Sequence, residues 1–149
     1  MKVLVTGATG FIGGNLAREL WRRGDDVQAL VRPGSNRLTI QDTGITPVEG
    51  DILDRQSIDR AMQGCEAVYH VAAVYTFWSK NPAGVSQANV QGTKNVLEAA
   101  RQAGVSRTVY TSTVGTIGIP QTGLGDEDTP LDPKSLHGHY KNSKHLAEQ

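Results

Sequence analysis

The chain has 149 residues, 15 basic and 15 acidic side chains, 38% hydrophobic residues, 17 glycines and one cysteine. A chain of this length buries roughly 70% of its unfolded surface, enough for one globular domain without disulfide or metal staples, and it is not a disordered or collagen-like sequence. The balanced charge gives no electrostatic footprint for nucleic acid or anionic lipid, no apolar run approaches the roughly 18 residues of a membrane helix, and a lone Cys65 suits a reducing, cytoplasmic compartment.

Lys2-Val3-Leu4-Val5-Thr6 is a short β-branched run that predicts a strand. A glycine turn follows, then Phe11, Ile12, Leu16, Leu20 and Trp21 at helical spacing, with Gly24 as the stop. Val27 to Val31 predicts a second strand, so the opening is a βαβ unit with parallel strands and a right-handed crossover. Ile45 to Val48 predicts a third strand, and Asp54 to Met62 a helix with an acidic cap. Ala67 to Ala73 is nearly continuous in apolar residues, as a strand covered on both faces should be. One long helix is expected from about Pro82 to Ala103, a fifth strand from Arg107 to Thr111, an irregular segment from Gly115 to Pro133, and a last helix from His139 to Gln149. The alternation implies an α/β fold of the Rossmann type, a doubly wound parallel sheet with five strands present. Ligands are expected beyond the carboxyl ends of those strands.

Thr6-Gly7-Ala8-Thr9-Gly10-Phe11-Ile12-Gly13 sits between the first strand and the first helix. Gly7 allows the tight turn, Gly10 lets backbone approach a pyrophosphate, and Gly13 lets helix and strand pack closely. The phosphates of a dinucleotide would meet free N–H groups at the positive end of the helix, making Gly7, Thr9, Gly10, Phe11, Ile12 and Gly13 the expected contacts. The second strand ends in Val31-Arg32 and not in the acidic residue that would accept the ribose hydroxyls of NAD. Arg32, with Arg37 and Ser35 as further donors, points to the 2′-phosphate of NADP. A solvated turn arginine is the competing explanation, and NAD stays possible. Asp51, beside Ile52, is placed to accept from the adenine amino group, or it forms a turn or helix cap. Val71, Ala72 and Ala73 offer small side chains where the middle of the cofactor crosses the sheet edge.

Tyr140 and Lys144 stand one helical turn apart on one face of the last helix. A phenol with a pKa of about 10 needs a nearby cation to favour its phenolate, and Lys144 is so placed. Thr111, Ser112 and Thr113 put hydroxyls at the carboxyl edge of the fifth strand, where one can polarise a carbonyl. Asn89 is a costly polar choice inside the long helix; it braces backbone or a water near Lys144, or it is an ordinary exposed asparagine. Tyr75, Phe77 and Trp78 follow the fourth strand, where they support the apolar part of a substrate or pack within the loop. His137 and His139 lack acidic or cysteine partners at ligand spacing, so no metal site is expected.

Thr6-Gly7-x-x-Gly10-x-x-Gly13, His70-x-Ala72-Ala73, Asn89-Val90-x-Gly92-Thr93, Thr111-Ser112-Thr113 and Tyr140-x-x-x-Lys144 together resemble the extended short-chain dehydrogenases/reductases, the NAD(P)-dependent epimerase/dehydratase family. Val31-Arg32, Gly64-Cys65 and Tyr140-x-x-Ser143-Lys144-x-x-Ala147-Glu148 are most similar to its dihydroflavonol-4-reductase-like group. The resemblance implies that Tyr140 is the catalytic acid/base, that Lys144 binds the nicotinamide ribose and lowers the phenol pKa, and that Thr113, with Ser112 beside it, orients the carbonyl. The family's usual serine is threonine at 113, and the acidic residue before the fourth strand is Glu66. The activity implied is NADPH-dependent reduction of a ketone or aldehyde. The alternatives are epimerisation or dehydration of a sugar nucleotide, or a dinucleotide-binding module without turnover. A homodimer is implied as well. Because family members run to about twice this length, residues 1–149 are expected to be the cofactor-binding half of a longer enzyme, with the substrate region and the C-terminal part of the fold absent.

Overall fold

The computed structural model describes residues 1–76 and 78–149; Phe77 lies outside the described residues. The strands are β1 Lys2–Thr6, β2 Asp26–Val31, β3 Thr46–Glu49, β4 Ala67–His70 and β5 Arg107–Tyr110. The helices are α1 Phe11–Arg22, α2 Arg55–Met62, α3 Pro82–Ser86, α4 Gly92–Gln102 and α5 His139–Glu148, with a π turn at Gln87–Gln91 joining α3 to α4. All neighbouring strands pair in parallel, in the order β3-β2-β1-β4-β5. That order reverses between β1 and β4, the switch point at which a doubly wound sheet opens a crevice beyond its strand ends.

Alternation along the central strands builds a core on each face. Val3 and Val5 point with Val27, Ala29 and Val31 toward Ala17 and Leu20 of α1. Leu4, Leu30 and Val68 point the other way, toward Ile58 and Met62 of α2 and Val96 and Ala100 of α4. Val3, Leu4 and Val5 are wholly buried, each stabilising the fold by about 1.5–3 kcal/mol relative to exposure. β3 carries Pro47, which cannot donate to a ladder and is tolerated because this strand is an edge. Asp54 caps α2 as expected, accepting from the Gln56 N–H at 3.1 Å. Among the described residues no helix is long and apolar enough to cross a membrane, and no group of three His, Cys, Asp or Glu side chains is placed to hold a metal ion.

Two expectations are corrected. The fourth strand stops at His70 and does not continue to Ala73, because β1 ends at Thr6 and offers no backbone partner further on. The Thr6 hydroxyl takes the place of that missing ladder, accepting from the Val71 N–H at 3.2 Å and the Ala72 N–H at 3.1 Å. Likewise Phe11 and Ile12 do not belong to the buried stripe of α1: they are 84% and 61% exposed, and the buried residues are Gly13, Gly14, Ala17 and Leu20.

The Thr6 oxygen also lies 2.7 Å from His70 Nδ1, and His70 Nε2 lies 2.9 Å from the Thr93 hydroxyl. Thr93 gives its own proton to the Asn89 carbonyl at 2.6 Å. Counting protons settles the roles: His70 is the neutral tautomer that donates from Nε2 to Thr93 and accepts at Nδ1 from Thr6. The imidazole is fully buried and its pKa is lowered from 6.5 to about 4, first by burial and then by the Lys144 charge. An unfolded chain takes up this proton near 6.5 and the folded chain resists until about 4, so stability is full above that window and declines as pH falls through it. Urea unfolding between pH 7 and 4 should show this limb, and His70→Gln should flatten it. At Gly13 an added Cβ would stand 2.3 Å from the Gly7 carbonyl oxygen. Gly13→Ala should therefore lower stability in the same assay by about 1–3 kcal/mol.

Candidate active site

A groove of about 710 Å3 runs along the carboxyl ends of the strands. Arg32, Asp51 and Ile52 line it beyond β2 and β3; Gly7, Thr9, Gly10, Phe11, Ile12 and Gly13 line it at the turn after β1. Val71, Ala72 and Ala73 line it after β4, and Thr111, Ser112, Tyr140 and Lys144 beyond β5. Residues far apart in sequence thus meet along one crevice, in the order the sheet imposes.

The glycine turn is shaped by contact. Gly7 holds φ +76°, and a Cβ there would stand 2.8 Å from the Ala72 backbone nitrogen. At Gly10 a Cβ would meet only the Gly7 carbonyl oxygen, at 3.3 Å, and would otherwise project into open space. Gly10 is also the N-cap of α1 and offers the first turn no side-chain acceptor, so its leading N–H groups depend on a ligand or water. A bare helix start, a backbone surface that a side chain would obstruct, and an adjoining long groove fit the pyrophosphate and adenosine of a dinucleotide.

Arg37 is not brought to this groove. Its guanidinium pairs with Glu49 at 2.7 Å and it lines a separate depression with Asn36 and Leu38. Arg32 does line the groove, at the turn where Ser35 bonds back to the Arg32 carbonyl. Asp51 is a turn former, its Oδ1 accepting from the Leu53 N–H at 2.9 Å, and it lines the groove.

At the other end, Lys144 is only 2% exposed. Its ammonium donates to the Thr111 carbonyl at 2.7 Å and sits 4.1 Å from the centre of the Tyr110 ring, which in turn stacks on His70. Burial lowers the Lys144 pKa to about 8, against the pull of Glu148, which favours the charged form. Tyr140 departs from expectation: its pKa is raised, by burial first, with the Thr113 hydroxyl opposing the rise and Tyr75 adding to it. The amine of Lys144 is directed at Thr111, so the chain by itself keeps Tyr140 a protonated phenol. The two strand-end hydroxyls also divide. Ser112 gives its proton to the Glu148 carboxylate, whereas Thr113 caps the short 3-10 turn Val114–Thr116 and favours the ionised form of the Tyr140 phenol.

Asn89 is 1% exposed and lies on the π turn, so it is neither an ordinary exposed asparagine nor a ligand for substrate. Its Oδ1 accepts from the Val74 N–H at 2.7 Å and its Nδ2 donates to the Val74 carbonyl at 3.0 Å and to Ser143 Oγ at 2.9 Å. Ser143 passes its own proton to the Tyr140 carbonyl at 2.7 Å. Sequence reasoning assigned no role to Ser143, His70, Thr93 or Glu148. For Ser143, His70 and Thr93 the signal was polarity at positions that helical or strand period turns inward; Glu148 is exposed and offered none.

A family model described as "NAD dependent epimerase/dehydratase family" matches residues 3–149. A protein of Synechocystis sp. that carries a provisional dihydroflavonol 4-reductase name is 44% identical over 97% of this chain and 42% of its own length. A 2-alkyl-3-oxoalkanoate reductase of Stenotrophomonas maltophilia is 38% identical over 100% of this chain and 45% of its own. Among solved structures, gox2253 superposes with a TM-score of 0.92 at 40% identity, covering 99% of this chain and 45% of that one. A UDP-glucose 4-epimerase of Thermus thermophilus, in complex with NAD, superposes with a TM-score of 0.85 at 31% identity, covering 99% and 49%. The chain therefore spans less than half the length of these relatives. Over nearly every residue it has, from β1 through α5, it belongs to the NAD dependent epimerase/dehydratase family.

Proposed function

We propose that this chain carries the dinucleotide site and proton-transfer residues of an NADPH-dependent reductase acting on a ketone or aldehyde. The observation that carries the reading is the pairing of Arg32 at the adenosine end of the groove with Tyr140, kept protonated by burial, at the other. When bound, the dinucleotide supplies the hydride. Gly10 and the start of α1 would hold its phosphates, Arg32 a 2′-phosphate, and Lys144 the ribose nearest the reacting carbon.

Reduction of a carbonyl needs a proton delivered to the oxygen as charge develops on it. Burial keeps the Tyr140 phenol protonated, which suits a donor, and the Thr113 hydroxyl steadies the oxygen left behind. The buried Lys144 ammonium places a positive charge within the same wall, held by a carbonyl and a ring face and not by a fixed counter-ion. The reductase names of the relatives support this direction of reaction. The neighbouring epimerase would use the same residues to oxidise and re-reduce its substrate on a retained cofactor, with no net NADPH consumption.

Two substitutions test the assignment in the enzyme of which this chain is part. Tyr140→Phe should lower kcat for carbonyl reduction by about a hundredfold or more while leaving the NADPH dissociation constant within about twofold. Arg32→Ala should weaken NADPH binding about tenfold or more, as loss of a charge-assisted bond would, and leave NADH binding unchanged. Equal losses for both cofactors, or tightly held dinucleotide with no net NADPH consumption across a panel of carbonyls, would refute the reading.

A further inference from the structure

We infer that Tyr75 is a positioning residue for the Tyr140 phenol, presented to it by the clamp that Asn89 places on Val74. The inference deepens the reading of Tyr140 as proton donor and rests on it for its catalytic meaning.

The rings of Tyr75 and Tyr140 meet edge to face, with centroids 4.8 Å apart and planes at 85°. Such pairs favour one relative orientation of the two quadrupoles. Tyr75 is 66% exposed and follows β4 in irregular chain. The residue before it is held from both sides. Both backbone groups of Val74 are taken by one side chain, Asn89, whose remaining amide proton goes to Ser143 Oγ. Ser143 bonds back to the carbonyl of Tyr140. A single buried amide thus spans the backbones that carry the two rings, and every one of its polar atoms is used.

The consequence is a phenol whose ring is braced edge to face by Tyr75, with the Thr113 hydroxyl acting on its titration from the strand end. Rotation of Tyr140 about its side-chain bonds would break the ring contact, so the hydroxyl is held where a carbonyl must approach it. Small errors in such placement cost heavily in rate. The groups acting on Tyr140 are Tyr75 from the loop after β4 and Thr113 from the strand end; Lys144, on the same helix, faces Thr111 and Tyr110.

Because Tyr75 is exposed, its substitution should spare the fold. Tyrosine labelled with 13C at Cζ gives one titrating signal per ring, and Tyr140→Phe assigns the one of interest. In Tyr75→Ala the Tyr140 midpoint should move down, since the ring that buries the phenol is gone. Tyr75→Phe keeps the ring and should hold the midpoint and the Tyr140 ring shifts close to the parent. In the whole enzyme Tyr75→Ala should lower kcat by about ten- to a hundredfold with NADPH affinity unchanged, and Tyr75→Phe should restore most of it. The inference is overturned if Tyr75→Ala leaves the Tyr140 titration and ring shifts as in the parent, or if Tyr75→Phe behaves like Tyr75→Ala. The titration stands whether or not Tyr140 is the proton donor, whereas loss of turnover in Tyr140→Phe tests the donor role alone.

Discussion

The hydroxyl of Thr6 stands in for a strand that is not there. β1 ends where the glycine turn must begin, leaving two N–H groups after β4 without a ladder partner, and one oxygen accepts from both. That oxygen can do so only because its own proton has an acceptor in His70 Nδ1, which requires the imidazole to stay neutral and donate from its other nitrogen to Thr93. The floor of the groove, the exit of β4 and the crossover helix are joined by this one chain of protons. Buried polar chains of this kind stabilise when every member is satisfied and are costly when one is not. Here each proton has one destination, and the Lys144 charge beyond Tyr110 discourages a second proton on the ring.

Charge in the catalytic end is met by neutral partners. Lys144 is buried with a carbonyl and an aromatic face as its nearest partners, which offset part of the burial that lowers its pKa to about 8. Glu148, one further turn along α5, favours the charged form of Lys144, and its carboxylate accepts from the Ser112 and Thr116 hydroxyls. Thr113 is left as the strand-end hydroxyl that acts on the titration of Tyr140. Two adjacent hydroxyls that look equivalent in sequence are separated by which helix residue claims each.

The sheet, its helices and the course of the groove were legible because strand and helix periods alternate cleanly from Lys2 to Arg107, and the glycine spacing in the first turn has a backbone reason at each position. What escaped had physical causes too. Phe11 and Ile12 carry the helical period of a core stripe, yet period alone does not distinguish a wall of a groove from a buried face. The end of the fourth strand escaped because a side chain, not backbone, takes over the bonding there. Arg37 and Glu49 pair across a connection whose course no local pattern reveals. The direction of the Tyr140 shift depended on where the Lys144 amine points, a matter of packing that spacing on a helix leaves open.

The π turn at Gln87–Gln91 gives the long crossover helix two phases. An α-helix advances about 100° per residue, and a turn that takes in one more residue rotates everything beyond it relative to what precedes. Val85 is buried on α3, the segment that packs against α5, while Val96 and Ala100 on α4 join the core with the sheet and α2. A uniform α-helix of the same length would present a single stripe and satisfy only one of these surfaces. The irregular turn is a gear change in an otherwise continuous rod. It lets one helix serve as core on one side of the molecule and as scaffold for the reacting groups on the other, with Asn89 at the point where the two phases meet.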